Sequence, residues 1–320
     1  MKIRNVFLFF SVVYSACNSP EKPVEVKGPK LLTGAAICTT EVPNRYVESI
    51  DTSVVTDGTT NTEGMAWIPP QNGIKGFFID RTEVTNSQFA KFVKETNYIT
   101  TAELKPSWEE LQKQLPPGTA KPAESDLVPA SLIFASPLIP VDINNPGSWW
   151  VWQKGASWQH PHGSKSSIKG KENYPVVHLS WDDALAYCKW AGKRLPTAAE
   201  WETAARGGVE HAKYPWGNEA IDKGKIKANT WQGNFPYKNT TKDGYMGLAA
   251  VKSFAANSYG LYDMAGNVWE WCSDGSDGEK VIKGGSFLCN ESYCEGYEID
   301  NQMSSSRDTS LEHTGFRCVK

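Results

Sequence analysis

YPVVHLSWDDALAYCKWAGKRLPTAAEWETAARGG, residues 174–208, decides the fold class. Ser180 stands where a side-chain oxygen can accept from the unpaired N–H groups that begin a helix. Asp182 and Asp183 lie at the positive start of that helix, Lys189 near its end, and Gly192 as its stop. Thr197 opens a second helix, Glu200 three residues on completes a capping box, and Gly207 and Gly208 close it. Ahead of both, VVHLSW reads as an apolar strand into which His178 alternates. Short capped helices beside short strands imply an α+β body.

The flanks extend this texture. From Gly64, GMAWIPP and GFFID read as short strands bounded by Gly and Pro, and Thr85 then caps NSQFAKFVKET, whose Phe89, Phe92 and Val93 share one helical face. The stretch from Lys105 to Pro146 is rich in proline without periodicity and reads as an irregular excursion within the domain. Beyond Gly208, loops dominate, with strand candidates in KVIKGGSFL and GFRCV. With 13 Trp, 27 Gly and 19 Pro in 320 residues, the composition points to a loop-rich body pinned by aromatic anchors, with little regular secondary structure.

The N-terminus sets the compartment. Lys2 and Arg4 precede an apolar run from Val6 to Tyr14 that is too short to span a bilayer, and Ser15, Ala16 and Cys17 follow. This pattern resembles a bacterial lipobox. It predicts a signal peptide over residues 1–16, lipidation of Cys17, a lipid-anchored linker and N-terminal extension over 17–60, and one domain over 61–320. An ordinary secretory signal with an incidental Cys17 is the competing reading. The chain is thereby placed in the bacterial cell envelope, on the periplasmic or outer-membrane face, and held to the membrane through its N-terminal lipid. A formal net charge of −3 lacks the basic excess that phosphate backbones attract, which argues against nucleic acid as a partner.

Besides Cys17, the cysteines are Cys38, Cys188, Cys272, Cys289, Cys294 and Cys318. Cys289 and Cys294, in GGSFLCNESYC, are an odd number of residues apart. A straight strand would point them to opposite faces, so they converge only if Asn290 to Tyr293 forms a turn. Converging thiols admit three chemistries: a structural disulfide, a redox-active disulfide, or a two-sulfur site for a soft ion such as Cu(I) or Zn(II). The residues alone leave all three open. His160 and His162 in WQHPHG and His178 in VVHLSW lack a metal spacing and read as loop or core histidines.

FFIDRTEVTNSQFAKFV, WWVWQKGASWQHPHG, residues 174–208, ANTWQGNFP, NSYGLYDMAGNVWEW, KGGSFLCNESYC and TGFRC resemble, in order, the blocks of the formylglycine-generating enzymes. The resemblance spans nearly all of residues 64–320 and implies the sulfatase-modifying-factor fold, which is C-type-lectin-like. It also implies oxidation of a protein cysteine to Cα-formylglycine by dioxygen, with Cu(I) held by the thiolates of Cys289 and Cys294, which soft sulfur favours. The substrate class so implied is a cysteine-containing protein or peptide, a sulfatase among the candidates. Ser286 matches the family's active-site serine, although a hydroxyl there equally closes the turn at Gly284 and Gly285. Glu83 matches a glutamate near the active site, with a helix N-terminal charge as its alternative. Cys188 and Cys318 match a disulfide, which leaves Cys38 and Cys272 as a further possible pair. Two calcium sites are implied: Asn229 and Asp243 with the carbonyls of Thr230 and Tyr245, and Asp263 and Glu270 with those of Gly266 and Val268. Such mixed oxygen sets suit a hard cation.

The chain also departs from the family. Asn290 follows the first thiol where His is usual, and EGYEIDNQMSSSRDTS puts Glu298, Asp300, Gln302 and Arg307 where the family carries a basic, aromatic stretch and a proline. Reversed charge beside a site alters partner choice. The departures open a second reading, a catalytically silent lipoprotein scaffold of the same superfamily, and a third, a non-haem iron enzyme, against which the paired thiols argue. For the N-terminus, mass spectrometry of the protein from its native host is expected to show a lipid-modified Cys17. Cys17→Ser is expected to move it from the detergent phase to the aqueous phase.

Overall fold

The computed structural model describes residues 62–112 and 118–320; the stretches expected to be signal peptide and linker, with Cys17 and Cys38, lie outside the described residues. Strand β1 (Met65–Ile68) pairs antiparallel with β2 (Phe77–Asp80), burying Ile68, Phe77 and Ile79. Helix α1 (Asn86–Thr96) begins at the predicted cap: Gln88 N–H donates to the Thr85 hydroxyl, and the Gln88 side chain accepts from Thr85 N–H. Asn97 ends it in the left-handed conformation. A single turn, α2 (Trp108–Leu111), follows.

Inside the stretch read as irregular, β3 (Ala130–Phe134) pairs antiparallel with β4 (Trp150–Lys154). Its burial does not alternate, so periodicity conceals it, and the pairing with β4 defines it. Helices α3 (Trp181–Trp190) and α4 (Ala198–Ala205) carry the predicted caps, Ser180 with Asp183 and Thr197 with Glu200. Asp183 does more than complement the helix dipole. It is buried and accepts from Thr101 N–H and the Tyr98 hydroxyl, tying α3 to the segment after α1.

A small hairpin, β5 (Gly233–Asn234) with β6 (Lys238–Asn239), precedes the main sheet. That sheet has the order β10-β7-β8-β9, with β7 (Trp269–Gly275), β8 (Glu279–Lys283) and β9 (Gln302–Ser306) antiparallel and β10 (Thr314–Gly315) parallel to β7. Two strand expectations are thereby shortened. KVIKGGSFL stops at Lys283 because Gly284 and Gly285 take φ of 91° and 73°. GFRCV beyond Gly315 runs alongside β2 without being a regular strand: Asp80 N–H donates to Cys318 O, and Val319 bridges both Ile79 and Arg194. Phe89, Tyr187, Trp269, Trp271 and Phe316 share one buried cluster, and Ile68, Ile79, Trp201, Leu261 and Val319 another. The third, Trp149, Trp231, Phe235, Phe287 and Leu288, lies under the cysteine turn.

Arg317 joins these pieces. It is fully buried, grips both carboxylate oxygens of Glu270 at 2.6 and 2.7 Å, and donates to the carbonyls of Asp80 and Tyr262. Burial opposes its charge, but Glu270 more than offsets this and raises its pKa. Trp201 Nε1–H completes the cage around Glu270 at 2.8 Å.

VVHLSW is not a strand, because His178 sits at φ 60° and breaks the extended path. The Ser131 hydroxyl donates to Ser310 O, so His178 Nδ1, 2.8 Å from that hydroxyl oxygen, is left to donate to it. Burial, reinforced by His162 and His313, pushes its pKa down to about 3. The folded imidazole therefore stays neutral while the unfolded one takes a proton below its ordinary 6.5, so this group's contribution to stability is lost as pH falls through that window. Asparagine tolerates positive φ and does not titrate. Between pH 6.5 and pH 5, His178→Asn is expected to lose about 2 kcal/mol less stability than the parent in urea unfolding. Equal pH slopes for the two proteins would refute this.

Candidate active site

The main sheet delivers the cysteine turn. Where β8 ends, an added Cβ at Gly285 would lie 2.6 Å from Tyr297 N, so only glycine allows the chain to pass there. Ser286 follows, fully buried. Its hydroxyl accepts from Leu288 N–H at 3.2 Å, closing the turn, and its own N–H points to Cys289 Sγ at 3.4 Å. Asn290 O accepts from Tyr293 N–H and from Cys294 N–H at 2.9 and 2.7 Å. The chain thus reverses over the residues the sequence singled out, and Cys289 and Cys294 are joined as a disulfide with Cα atoms 4.8 Å apart.

The two cysteines differ in burial: Cys289 is 2% exposed, whereas Cys294 is half-buried. Aromatic rings frame the turn: Tyr293 stacks on Phe235 at 4.3 Å and stands perpendicular to Trp149 at 5.6 Å. The outer rim is acidic. Glu291 and Glu295 are exposed, Glu298 pairs with Lys213 at 2.7 Å, and Asp300 pairs with Arg206.

Of the first oxygen set, Thr230 and Asp243 come together, while the Asn229 amide donates to Gly247 O and to Asn267 Oδ1. The carbonyl and hydroxyl of Thr230 and the carboxylate of Asp243 all accept from a single Gln232 side-chain nitrogen, which marks a spot where several oxygens meet. In the second set, Glu270 is held by Arg317 and Trp201, while Asp263 takes Lys252 N–H. Glu83 belongs beside this second set. It is fully buried, accepts from Asn267 Nδ2 at 2.9 Å through one oxygen, and lies beside the Asp263 carboxyl, to which it is hydrogen-bonded. Burial first, then the charge of Asp263, pushes the Glu83 pKa well up, and burial lifts Asp263 to about 6. Three buried carboxylates around the single charge of Arg317 constitute an acidic excess, with both Glu270 oxygens already taken by Arg317 and Trp201. Among the described residues no three His, Cys, Asp or Glu side chains form a metal cage, so backbone carbonyls would have to complete either set.

Asn267 links the regions. At φ 61°, it binds Glu83 through Nδ2, donates its N–H to Asn229 O, accepts from Asn229 Nδ2, and accepts Phe287 N–H on its carbonyl. The sequence offered no sign of this role beyond an asparagine after glycine, a residue pair at home in left-handed turns. Glu83 reaches the cysteine turn only through Asn267, and is not a charge on the first turn of α1. Cys188 and Cys318 are buried free thiols with sulfurs 2.7 Å apart, and Cys272 is a buried thiol whose pKa burial raises.

The sulfatase-modifying factor enzyme 1-like domain matches residues 39–320 of this chain. The formylglycine-generating enzyme of Thermomonospora curvata is 46% identical over 265 residues, 76% of this chain and 81% of that protein. That of Streptomyces coelicolor is 42% identical over 265 residues, 77% of this chain and 78% of the relative. The inactive C-alpha-formylglycine-generating enzyme 2 of Bos taurus is 36% identical over 253 residues, covering 77% of each. A match over most of the chain shows that this protein belongs to the sulfatase-modifying factor family.

Proposed function

We propose that this chain oxidises a cysteine of a protein or peptide to Cα-formylglycine with dioxygen, using Cu(I) held by Cys289 and Cys294, in the manner of sulfatase maturation. The observation that carries this reading is the pair itself: two cysteines closed on one turn, one buried and one half-buried, in a chain 46% identical to a formylglycine-generating enzyme. Copper, when bound by both sulfurs, would supply the activation of oxygen. The residues supply the rest. Reduction of the disulfide frees two thiols, the Ser286 N–H aimed at Cys289 favours its thiolate, and Cys294 meets the incoming substrate cysteine. Tyr293 and its aromatic neighbours flank the approach, and Glu291 and Glu295 make it acidic.

Three subsidiary proposals accompany it. The two oxygen sets hold calcium as structural ions, supported by the convergence at Thr230 and Asp243 and the acidic excess at Glu83, Asp263 and Glu270. Cys188 and Cys318 close a disulfide in an oxidising compartment, supported by their sulfur separation of 2.7 Å. Cys17 anchors the protein by lipid in the cell envelope.

Anaerobic titration of the reduced protein is expected to show one tightly bound Cu(I), lost in Cys289→Ser and in Cys294→Ser. The copper-loaded protein in air is then expected to convert a peptide cysteine to the aldehyde, read by mass spectrometry, with a standard sulfatase-type peptide turned over poorly because of the acidic rim. No turnover of a diverse cysteine-peptide library at full copper loading would defeat the oxidase reading and favour a silent scaffold. In protein stripped of metal, calcium at 100 times its Kd is expected to add about 2.7 kcal/mol of stability per independent site. An unchanged melting temperature would count against both oxygen sets.

A further inference from the structure

We infer that Asn290 is a positioning residue: its side chain clamps the Cys289–Cys294 turn to the Trp231–Gly233 segment and so sets the thiol–disulfide equilibrium of the pair. The inference rests on the proposed reading of that pair as the reactive centre. Asn290 Nδ2 donates to the carbonyls of Trp231 and Gly233 at 3.0 and 3.2 Å, across a sequence separation of 59 and 57 residues. Its Oδ1 accepts from the N–H and the hydroxyl of Ser292 at 3.0 and 2.6 Å. Both donors and both acceptor positions of the amide are in use. An ordinary turn asparagine needs only the Oδ1 half, since its oxygen bonds the backbone two residues on. The two long-range donations are additional, and they bind the turn to something outside itself.

That outside frame is firm. Trp231 is 3% exposed and returns the connection by donating its N–H to Cys289 O at 3.0 Å. Gln232 is pinned by Asn239 and by Thr240, whose N–H donates to its carbonyl at 2.6 Å. The turn therefore has a backbone bond at Cys289 and a side-chain clamp at Asn290, and Cys294 N–H closes onto the Asn290 carbonyl.

In the disulfide, the S–S bond itself keeps the turn shut. In the dithiol, these hydrogen bonds, together with the packing of Tyr293 on Phe235 and Trp149, hold Cys294 near Cys289 at a high effective concentration. Releasing the clamp frees the dithiol more than the disulfide, so the balance moves toward the thiols. Reduction is balanced as two glutathione thiols plus the protein disulfide giving two cysteine thiols and one glutathione disulfide.

The test equilibrates the whole protein in glutathione buffers, quenches with acid, alkylates, and reads the peptide containing residues 289–294 by mass spectrometry. Asn290→Asp keeps the shape and the acceptor but removes both donors, and Asn290→Ala removes the amide. Each is expected to lower the equilibrium constant for disulfide formation by about tenfold, the effect of two neutral hydrogen bonds of ordinary strength. Ser292→Ala, which touches only the acceptor half, is expected to stay within about twofold. Constants within about twofold of the parent in both Asn290 variants would overturn the inference. So would loss of the fold in both, which would make Asn290 a stability residue and no more. An unchanged equilibrium alongside normal peptide oxidation defeats the clamp alone; a shifted equilibrium with no oxidation by the parent protein defeats the oxidase reading alone.

Discussion

The ion pair of Arg317 with Glu270 is the constraint on which the structure depends. A guanidinium with no exposed surface is tolerable only where its donors are met, and here Glu270 takes two while the carbonyls of Asp80 and Tyr262 take others. Those partners come from β7, β2 and the loop before the main sheet, so one side chain near the C-terminus orders three distant parts of the chain. Removing one member of such a pair typically costs about 3–5 kcal/mol, because the survivor is left charged and buried. With so little regular structure, the fold has few ladders to share that load.

The same economy governs the site. Main-chain groups of loops are satisfied one at a time by side chains: Asn267 between Glu83, Asn229 and Phe287, and Asp183 between α3 and the segment before it. Loops held in this way bring together two thiols that a regular strand, with its alternating faces, would point apart. The acidic rim is a separate layer. Glu298 and Asp300 are spent on Lys213 and Arg206, so the free negative charge nearest the turn belongs to Glu291 and Glu295.

Local signals proved legible where the physics is local. The caps at Thr85, Ser180 and Thr197 appear at the expected residues, because a cap is a bond between neighbours three positions apart. The odd spacing of Cys289 and Cys294 called for a turn only if the thiols converge, and the structure brings them together. Strand readings fared worse. VVHLSW has the right residues, yet His178 turns left-handed when its ring is drawn to Ser131 on another strand, and β3 escaped notice because only β4 makes it a strand.

The sequence by itself determined the α+β class, the three capped helices and the family resemblance, all of which rest on residues close together in the chain or on motifs in order. Tertiary structure alone decided that Glu83 belongs with the carboxylates around Arg317, that Cys289 is buried more deeply than Cys294, and that Asn290 reaches back to Trp231 and Gly233. Each of these depends on which distant segments meet. Burial and partner geometry then set the charge state, access and hydrogen bonding of a side chain whose own identity leaves all three open.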